Sequence, residues 1–274
     1  MSTIAEENKL QPFLRWPGGK RWLVKEYADL LPADFNRYIE PFLGSGAVFF
    51  HLQPKQALIG DINPDILSVY LGLKNNWKFV KRSLQHHQRM HSDKYYYKVR
   101  SKNPREILEQ ASRMIYLNRT CFNGIYRVNV NGHFNVPRGT KDAVILDTDD
   151  FEKISEALKH ASIHFGDFEE LIDKAAENDF VFADPPYTVR HNHNGFIKYN
   201  ENLFSWQDQK RLSKALIRAR DRGAKIVCTN AKHNSIQNLY RGKGFNLKTV
   251  SRYSSISASS ESRKQFEELV ILSK

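Results

Sequence analysis

The sequence predicts an α/β fold built around a largely parallel sheet. Short apolar segments alternate with longer segments that have the residue pattern of helices, as strands and helices do when they follow one another. Several apolar segments run into an aspartate, and one runs into a glycine-containing turn. The length of 274 residues and the hydrophobic content of 41% are sufficient for a full core.

The elements predicted in the first part of the chain follow this alternation. An asparagine before the second helix is a favourable N-cap. In chain order these elements are a strand over 37–41, a helix over 47–52, a strand over 56–60 that ends at Asp61, and a helix over 64–74 that follows Asn63.

The alternation returns after residue 141. A serine precedes the longest predicted helix and a glycine follows it, which favours a helix between them. In chain order these elements are a helix over 150–160, a strand over 162–166 before Asp167, a strand over 179–183 before Asp184, a helix over 205–222, a strand over 225–229, and a final hairpin of 245–253 with 266–272.

The middle of the chain has a different composition. Residues 77–141 are rich in His, Tyr, Arg and Asn, and they include a predicted helix over 105–119. The pair Asn131-Gly132 lies between alternating segments, which predicts a β-hairpin. We therefore predict an inserted, mostly helical domain with a β-hairpin over 77–141, and a main domain formed by 1–76 and 142–274.

Charge and composition limit the partners and the compartment. Lys plus Arg exceeds Asp plus Glu by 42 to 30, a net charge of +12 that favours a polyanion such as nucleic acid. No apolar stretch approaches the roughly 20 residues of a membrane span, and residues 1–10 lack the features of a signal peptide. We expect a cytoplasmic protein, with Cys121 and Cys228 as reduced thiols.

Two histidine-containing segments could ligate a metal by residue type alone. His86, His87 and His91 have helical spacing, and residues 191–194 read His-Asn-His-Asn. The spacing lacks the cysteines or further carboxylates of a convincing zinc site. We interpret the first segment as a polar surface and the second as a lid loop, and we predict no bound metal.

Aspartates at strand ends predict a ligand site. Ligands of open parallel sheets bind beyond the carboxyl ends of the strands, where Asp61, Asp167 and Asp184 are predicted to lie. The alternative is that each aspartate only caps a helix. The turn 44–46 (Gly-Ser-Gly) allows close approach of a ligand, but Phe49 replaces the third glycine of the dinucleotide fingerprint. An adenosine cofactor without pyrophosphate, such as S-adenosylmethionine, suits this arrangement.

The motif Asp184-Pro185-Pro186-Tyr187 follows an apolar strand. An aromatic exocyclic amine is a poor nucleophile because its lone pair is conjugated with the ring. A carboxylate and a backbone carbonyl that accept its two N–H bonds oppose that conjugation. The prolines stiffen the loop, and the tyrosine ring can stack on a base. The motif therefore predicts methylation of an amino group on a nucleobase.

These elements together resemble the Dam-type DNA adenine methyltransferases. The similarity extends over about 13–272, and the motifs occur in the family's order. The resemblance implies a Rossmann-like class I methyltransferase sheet with an inserted target-recognition domain. The shared motifs are 13–20 (FLRWPGGK), 40–46 (EPFLGSG), 118–127 (NRTCFNGIYR), 132–137 (GHFNVP) and 184–187 (DPPY).

The resemblance also implies roles in catalysis and in binding S-adenosylmethionine. Asp61 would hold the ribose hydroxyls, while Asp167 and Phe168 would face the adenine of the cofactor. The implied catalytic residues are Asp184, Pro185, Pro186 and Tyr187. The implied cofactor-binding residues are Trp16, Lys20, Glu40, Pro41, Phe42, Gly44, Ser45, Gly46, Asp61, Ile62, Asp167, Phe168 and Asp184.

For double-stranded DNA, the resemblance implies a flipped-out adenine within GATC. Arg127 would read a guanine, Ile125 and Pro137 would touch a thymine methyl group, and Arg15 would help to read the first base. The implied DNA-binding residues are Arg15, Arg119, Asn123, Ile125, Arg127, Asn129, Pro137 and Arg138. We expect a monomer, and the sequence leaves a dimer on DNA open.

Other functions remain open at this stage. The same pair of acceptors suits cytosine N4, an adenine in RNA or a glutamine amide. A DNA-binding module that has lost catalysis is a further alternative, although the retention of Trp16, Lys20, Asp61 and the DPPY motif disfavours it. The sequence does not distinguish a solitary enzyme, a phage enzyme and a partner of a restriction nuclease.

Overall fold

The computed structural model describes residues 10–188, 204–253 and 265–274. The predicted lid loop at 191–194 lies outside the described residues, as do residues 1–9 and 254–264. The chain divides into two compact units, and the predicted partition into a main and an inserted domain stays a prediction. The first unit comprises Met1–Glu26 with Leu43–Phe165, and the second comprises Tyr27–Phe42 with Gly166–Lys274.

Helices and strands alternate through most of the described residues. The α-helices are α1 (Arg21–Glu26), α2 (Ala47–Leu52), α3 (Pro64–Met90), α4 (Asp93–Ser101), α5 (Ile107–Thr120), α6 (Phe151–Lys159), α7 (Phe168–Ile172), α8 (Trp206–Asp221) and α9 (Asn234–Tyr240). The β-strands are β1 (Tyr38–Glu40), β2 (Ala57–Asp61), β3 (Ala161–Phe165), β4 (Phe180–Ala183), β5 (Lys225–Ala231), β6 (Phe245–Tyr253) and β7 (Gln265–Ser273).

The first unit packs helices around a pair of parallel strands. β2 pairs with β3 in a register that extends from Ala57 opposite Ala161 to Asp61 opposite Phe165. Helix α3 packs against α5 and α6 and against both strands. The buried ring of Phe13 makes edge contacts with Phe50, Tyr70 and Phe151, which join the N-terminal segment to this core.

The second unit contains the remaining strands in the order β1-β4-β5-β7-β6. β1, β4 and β5 are parallel, and the antiparallel hairpin of β6 and β7 joins β5 through β7. Because β4 has strand neighbours on both sides, all four of its residues are buried, as its apolar sequence Phe-Val-Phe-Ala requires. The rings of Phe35, Tyr38 and Phe180 pack together beside β1 and β4.

The predicted α/β class is confirmed, and so are most elements. The predicted caps are present, because the side chain of Asn63 accepts from the Asp65 N–H, and Ser205 forms a reciprocal capping box with Asp208. The helix predicted over 64–74 is longer, since α3 continues to Met90 past a non-helical residue at Asn76. Helices α1, α4, α7 and α9 were not predicted as separate elements.

The hairpin predicted around Asn131-Gly132 needs correction. The turn is present, with Gly132 at φ +75° and the Asn129 N–H donating to the His133 carbonyl at 2.8 Å. However, Val128 and Phe134 form a single isolated bridge rather than two strands. A two-stranded ribbon needs an apolar face to be stable, and here the tip residue Val130 is fully exposed.

Helices α3 and α5 are packed closely together at Gly72. A Cβ atom built on Gly72 would lie 2.4 Å from the Cβ of Ala111, which is too close for any side chain. We predict that Gly72→Ala destabilises the protein by about 1–3 kcal/mol through overpacking, although alanine favours a helix by about 1 kcal/mol. Urea unfolding measures this change, and Gln85→Ala on the exposed face of α3 is the control. Equal or greater stability of Gly72→Ala would contradict the packing.

Candidate active site

Asp61 ends β2, and its carboxylate organises the glycine turn. One carboxylate oxygen accepts from the Gly44 N–H at 3.0 Å, and the other accepts from the Asn63 N–H at 2.9 Å. Burial raises the pKa of Asp61, and the backbone N–H groups of Gly44, Asn63 and Ile62 oppose that rise. Each oxygen of an ionised carboxylate can accept more than one hydrogen bond, so Asp61 can still bind a hydroxyl.

The glycine turn lies directly against Trp16. A Cβ atom on Gly44 would be 2.9 Å from Cδ1 of the indole, and Gly44 has φ +48°. The indole also packs against Tyr126, with 5.3 Å between ring centroids, and the hydroxyl of Tyr70 donates to the Gly44 carbonyl at 2.8 Å. Trp16, Gly44 and Asp61 are therefore neighbours in the first unit.

The other predicted cofactor residues of the first unit are placed around the same turn. Lys20 is buried, and its ammonium donates to the Gly18 carbonyl at 2.7 Å. Ser45 is buried, and a Cβ atom on Gly19 would be 3.2 Å from its hydroxyl. Ile62, which follows Asp61, is 59% exposed, so an apolar surface is available to a ligand beside the carboxylate.

The second unit holds a cluster of three aromatic rings. The rings of Phe42 and Phe168 are stacked with 5.4 Å between centroids, and Phe204 packs against both of them. Glu40 and Pro41 are buried just before Phe42. Asp167 precedes Phe168 and caps α7 by accepting from the Glu169 N–H at 2.9 Å. Asp167 therefore caps a helix, which is the alternative stated for the aspartates at strand ends.

Asp184 follows β4 and is held by Thr229 of β5. The Thr229 hydroxyl donates to one carboxylate oxygen of Asp184 at 2.6 Å. Thr229 is completely buried, so it has little freedom to leave this position. The hydrogen bond limits the rotation of the Asp184 carboxylate.

A buried amide pair supports the second proline of the motif. The Gln209 amide donates to the Pro186 carbonyl at 3.4 Å and accepts from the Asn230 amide at 2.9 Å. Gln209 and Asn230 are both fully buried, which makes the network costly to disrupt. The Tyr187 hydroxyl donates to the carboxylate of buried Glu268 at 2.6 Å, so the tyrosine ring is also held from its far end.

The segment predicted to recognise DNA lies beside Arg15 in the first unit. The Arg15 N–H and carbonyl are both paired with the side chain of Asn118. A Cβ atom on Gly124 would be 2.6 Å from Cδ of Arg15, so residues remote in sequence are neighbours here. Arg127 is exposed and its Nε donates to the Asn135 side chain at 2.8 Å, which orients the guanidinium.

The remaining predicted DNA contacts fall into two groups. Asn123, Asn129 and Pro137 are exposed, and Ile125 is half-buried. Arg119 is different, because its side chain is 2% exposed and its guanidinium binds both carboxylate oxygens of Asp149. This burial favours a structural role for Arg119 and argues against direct contact with DNA.

Arg138 is partly exposed and forms ion pairs with Asp93 and Asp142. These pairs balance its charge in the free protein. Sequence reasoning missed Thr229, Gln209, Asn230 and Glu268, because a lone polar residue within an apolar strand or helix carries no motif. It also missed Phe122, which is 50% exposed in the segment predicted to recognise DNA and has a ring of the kind on which a base stacks.

Two negative findings concern metals and membranes. In the part of the chain that the structure describes, no cluster of three or more His, Cys, Asp or Glu side chains could hold a metal ion. His87 is instead packed on Tyr116, and burial is the main cause that lowers its pKa to about 4. Over the same described ranges, no helix has the length and apolar character that crossing a bilayer requires.

The sequence profile of one family matches residues 16–256. That family is described as D12 class N6 adenine-specific DNA methyltransferase. The chain belongs to this family. The match includes the glycine turn, the recognition segment and the DPPY motif, so the resemblance drawn from those motifs is confirmed.

Individual relatives of this methyltransferase match over nearly the whole chain. The type II methyltransferase M1.LlaDCHI of Lactococcus lactis subsp. cremoris is 36% identical and covers 98% of both chains. The type II methyltransferase M.MjaIII of Methanocaldococcus jannaschii is 34% identical over 96% of this chain and 99% of the relative. A DNA adenine methylase of Vibrio cholerae serotype O1 is 28% identical over 96% of both chains.

The Thr229–Asp184 hydrogen bond can be tested by an isosteric change. We predict that Thr229→Val lowers the kcat of this methyltransferase about tenfold, because roughly 1.4 kcal/mol of carboxylate orientation is lost. The KM values for DNA and methyl donor should change little, since the substrates are still bound. Steady-state kinetics measures the effect.

Thr229→Ser keeps the hydroxyl and should retain most of the rate. Thr249→Val on the exposed part of β6 is the matched control for the substitution itself. A Thr229→Val enzyme with the kcat of wild type would show that Asp184 does not need this partner.

Proposed function

We propose that this chain transfers the methyl group of S-adenosylmethionine to N6 of an adenine that is flipped out of double-stranded DNA. The observation that carries the proposal is the placement of Asp184. Asp184 follows a buried strand, and Thr229 orients its carboxylate. The next residues are two prolines and Tyr187, whose hydroxyl is hydrogen-bonded to Glu268. Few arrangements other than an acceptor for an amino group require all three features.

Residues of the first unit suit the ribose and the amino-acid part of the cofactor. Asp61 offers carboxylate oxygens to hydroxyl groups, as acidic residues at this strand position do in nucleotide-binding sheets. Glycine at position 44 lets the turn lie directly against Trp16, because a Cβ atom there would be 2.9 Å from the indole. The buried Lys20 adds positive charge for a carboxylate. The donors and acceptors therefore fit the cofactor.

Residues of the second unit suit the adenine of the cofactor. The ring of Phe168 is 6% exposed and already stacked on Phe42, so the contact with a ligand falls to its backbone. Phe168 is the first residue of α7, and the N–H groups of a first helical turn have no acceptor within the helix. The Phe168 N–H and the Asp167 carboxylate then form a donor and an acceptor side by side.

The reaction depends on how this chain treats the target amine. The bound cofactor supplies an electrophilic methyl group on a sulfonium. Asp184 accepts one N–H of the amine through its second carboxylate oxygen. The Pro186 carbonyl is engaged by Gln209, so we assign the second N–H to the carbonyl of Pro185. These two hydrogen bonds localise the lone pair on nitrogen, and the Tyr187 ring holds the flipped base in line.

The recognition segment within 77–141 is proposed to read the DNA sequence. Asn135 accepts from Nε and from one terminal nitrogen of Arg127, and we assign the remaining N–H groups of the guanidinium to O6 and N7 of a guanine. Arg15 lies beside this segment and Phe122 is exposed on it. GATC as the target rests on the Dam-type resemblance. The names of two relatives support a role in a type II restriction-modification system as an open alternative to a solitary enzyme.

Removing the carboxylate of Asp184 tests the central proposal. We predict that Asp184→Ala reduces methylation of duplex DNA to below a few per cent of wild type, while the fold is retained. Mass spectrometry of nucleosides from treated DNA measures N6-methyladenine and also detects N4-methylcytosine. Asp221→Ala on the exposed end of α8 is the control. Substantial N6-methyladenine from Asp184→Ala, or a different methylated base from wild type, would contradict the proposal.

Removing the Arg127 guanidinium tests the recognition assignment. We predict that Arg127→Ala loses about 1–3 kcal/mol of discrimination at one guanine, because no bidentate donor remains. Modification-aware sequencing of genomic DNA from a methylation-free host measures the preference. Lys141→Ala removes one exposed charge from the same segment and should weaken binding without changing sequence preference. An unchanged preference in Arg127→Ala would remove Arg127 from the recognition set.

A further inference from the structure

One guanidinium connects α8 to the beginning of α7 in the second unit. Arg211 donates to Asp167 at 2.7 Å, to Glu169 at 3.0 Å and to Asp208 at 3.0 Å. Its guanidinium carbon also lies 4.9 Å from the centre of the Phe168 ring. Arg211 thus contacts the two residues proposed for the cofactor adenine, and hydrogen bonding to Asp167 is the main cause that raises its pKa.

The two carboxylate oxygens of Asp167 differ in their hydrogen bonds. Oδ1 accepts both from Arg211 and from the Glu169 N–H at 2.9 Å. Within the described residues, no hydrogen bond reaches Oδ2, and the side chain is 37% exposed. The two donors on Oδ1 fix the plane of the carboxylate, and so they fix the direction in which Oδ2 accepts a hydrogen bond.

Arg211 also holds the residue that supplies the neighbouring donor. The Phe168 ring lies between Phe42 on one side and the guanidinium of Arg211, and it is 6% exposed. A clamped ring allows little rotation of the first turn of α7. The direction of the Phe168 N–H is therefore set by the same guanidinium that sets Oδ2 of Asp167.

We infer that Arg211 is a positioning residue for adenine specificity in the cofactor site. Held in this way, Oδ2 of Asp167 accepts from the 6-amino group of adenine, and the Phe168 N–H donates to N1. A 6-oxo purine presents an acceptor and an N1–H at these positions, so both hydrogen bonds would be mismatched. The inference rests on the proposed function, because it requires that the ligand of this site be an adenosine.

The alternative is that Arg211 only joins two helices. Arg218 lies about two turns further along the same face of α8 and provides the comparison. It binds Glu169 at 2.7 Å and Asp173 at 2.8 Å without contact to Asp167 or Phe168. Arg218→Gln thus weakens the same pair of helices and leaves the adenine pair in place. A role in packing alone predicts that the two substitutions change ligand affinity equally. A positioning role predicts that only the Arg211 substitution changes the affinity and the preference for adenine.

Calorimetric titration of the full chain with S-adenosylhomocysteine and with its 6-oxo analogue, S-inosylhomocysteine, tests the inference. We expect wild type and Arg218→Gln to prefer the adenine compound by a similar ratio. Arg211→Gln should bind S-adenosylhomocysteine about tenfold more weakly, the loss expected for one charge-assisted hydrogen bond, with a smaller ratio between the two compounds. Affinity for duplex DNA should stay the same in all three proteins.

Arg211→Lys keeps the positive charge but not the planar guanidinium. It should therefore retain only part of the preference for S-adenosylhomocysteine over S-inosylhomocysteine. Arg211→Gln with the affinity and ratio of wild type would overturn the inference, and so would an equal loss in Arg218→Gln. Failure of wild type to bind S-adenosylhomocysteine would instead overturn the proposed cofactor. The two failures are thus distinguishable in one set of titrations.

Discussion

The register between β4 and β5 is the constraint on which the catalytic loop depends. Ala183 pairs with Cys228 in a parallel ladder, so the next residue of each strand, Asp184 and Thr229, come within hydrogen-bond distance. A shift by one residue would turn the hydroxyl to the other side of the sheet. The orientation of Asp184, the proposed acceptor for the target amine, is therefore set by a backbone ladder.

The same strand supports the rest of the motif. Asn230 of β5 donates to Gln209, which donates to the Pro186 carbonyl. Ala231 pairs with Glu268, whose carboxylate accepts from the Tyr187 hydroxyl. Three consecutive residues of β5 thus determine the position of three of the four residues of DPPY. The motif provides the chemical groups, and the adjacent strands provide their orientation.

The sequence predicted the parts of this protein that have local signals. The strand ends at Asp61 and Asp184, the cap at Ser205 and the final hairpin were predictable because each depends on residues close in the chain. Partners such as Thr229 were not predictable, since contact with Asp184 depends on which strands become neighbours. The family resemblance implied that Arg119 contacts DNA. Only the tertiary structure shows that its side chain is buried and paired with Asp149.

The early position of β1 in the chain has a consequence for biosynthesis. β1 belongs to the second unit, but its partner β4 emerges from the ribosome roughly 140 residues later, on the order of 10 s at bacterial rates. During that interval β1 lacks β4, which is the strand beside it in the second unit. A fragment beginning at Gly166 would lack β1 permanently and would expose an edge of β4, which favours association with other chains. The second unit therefore cannot be produced intact as a contiguous C-terminal piece.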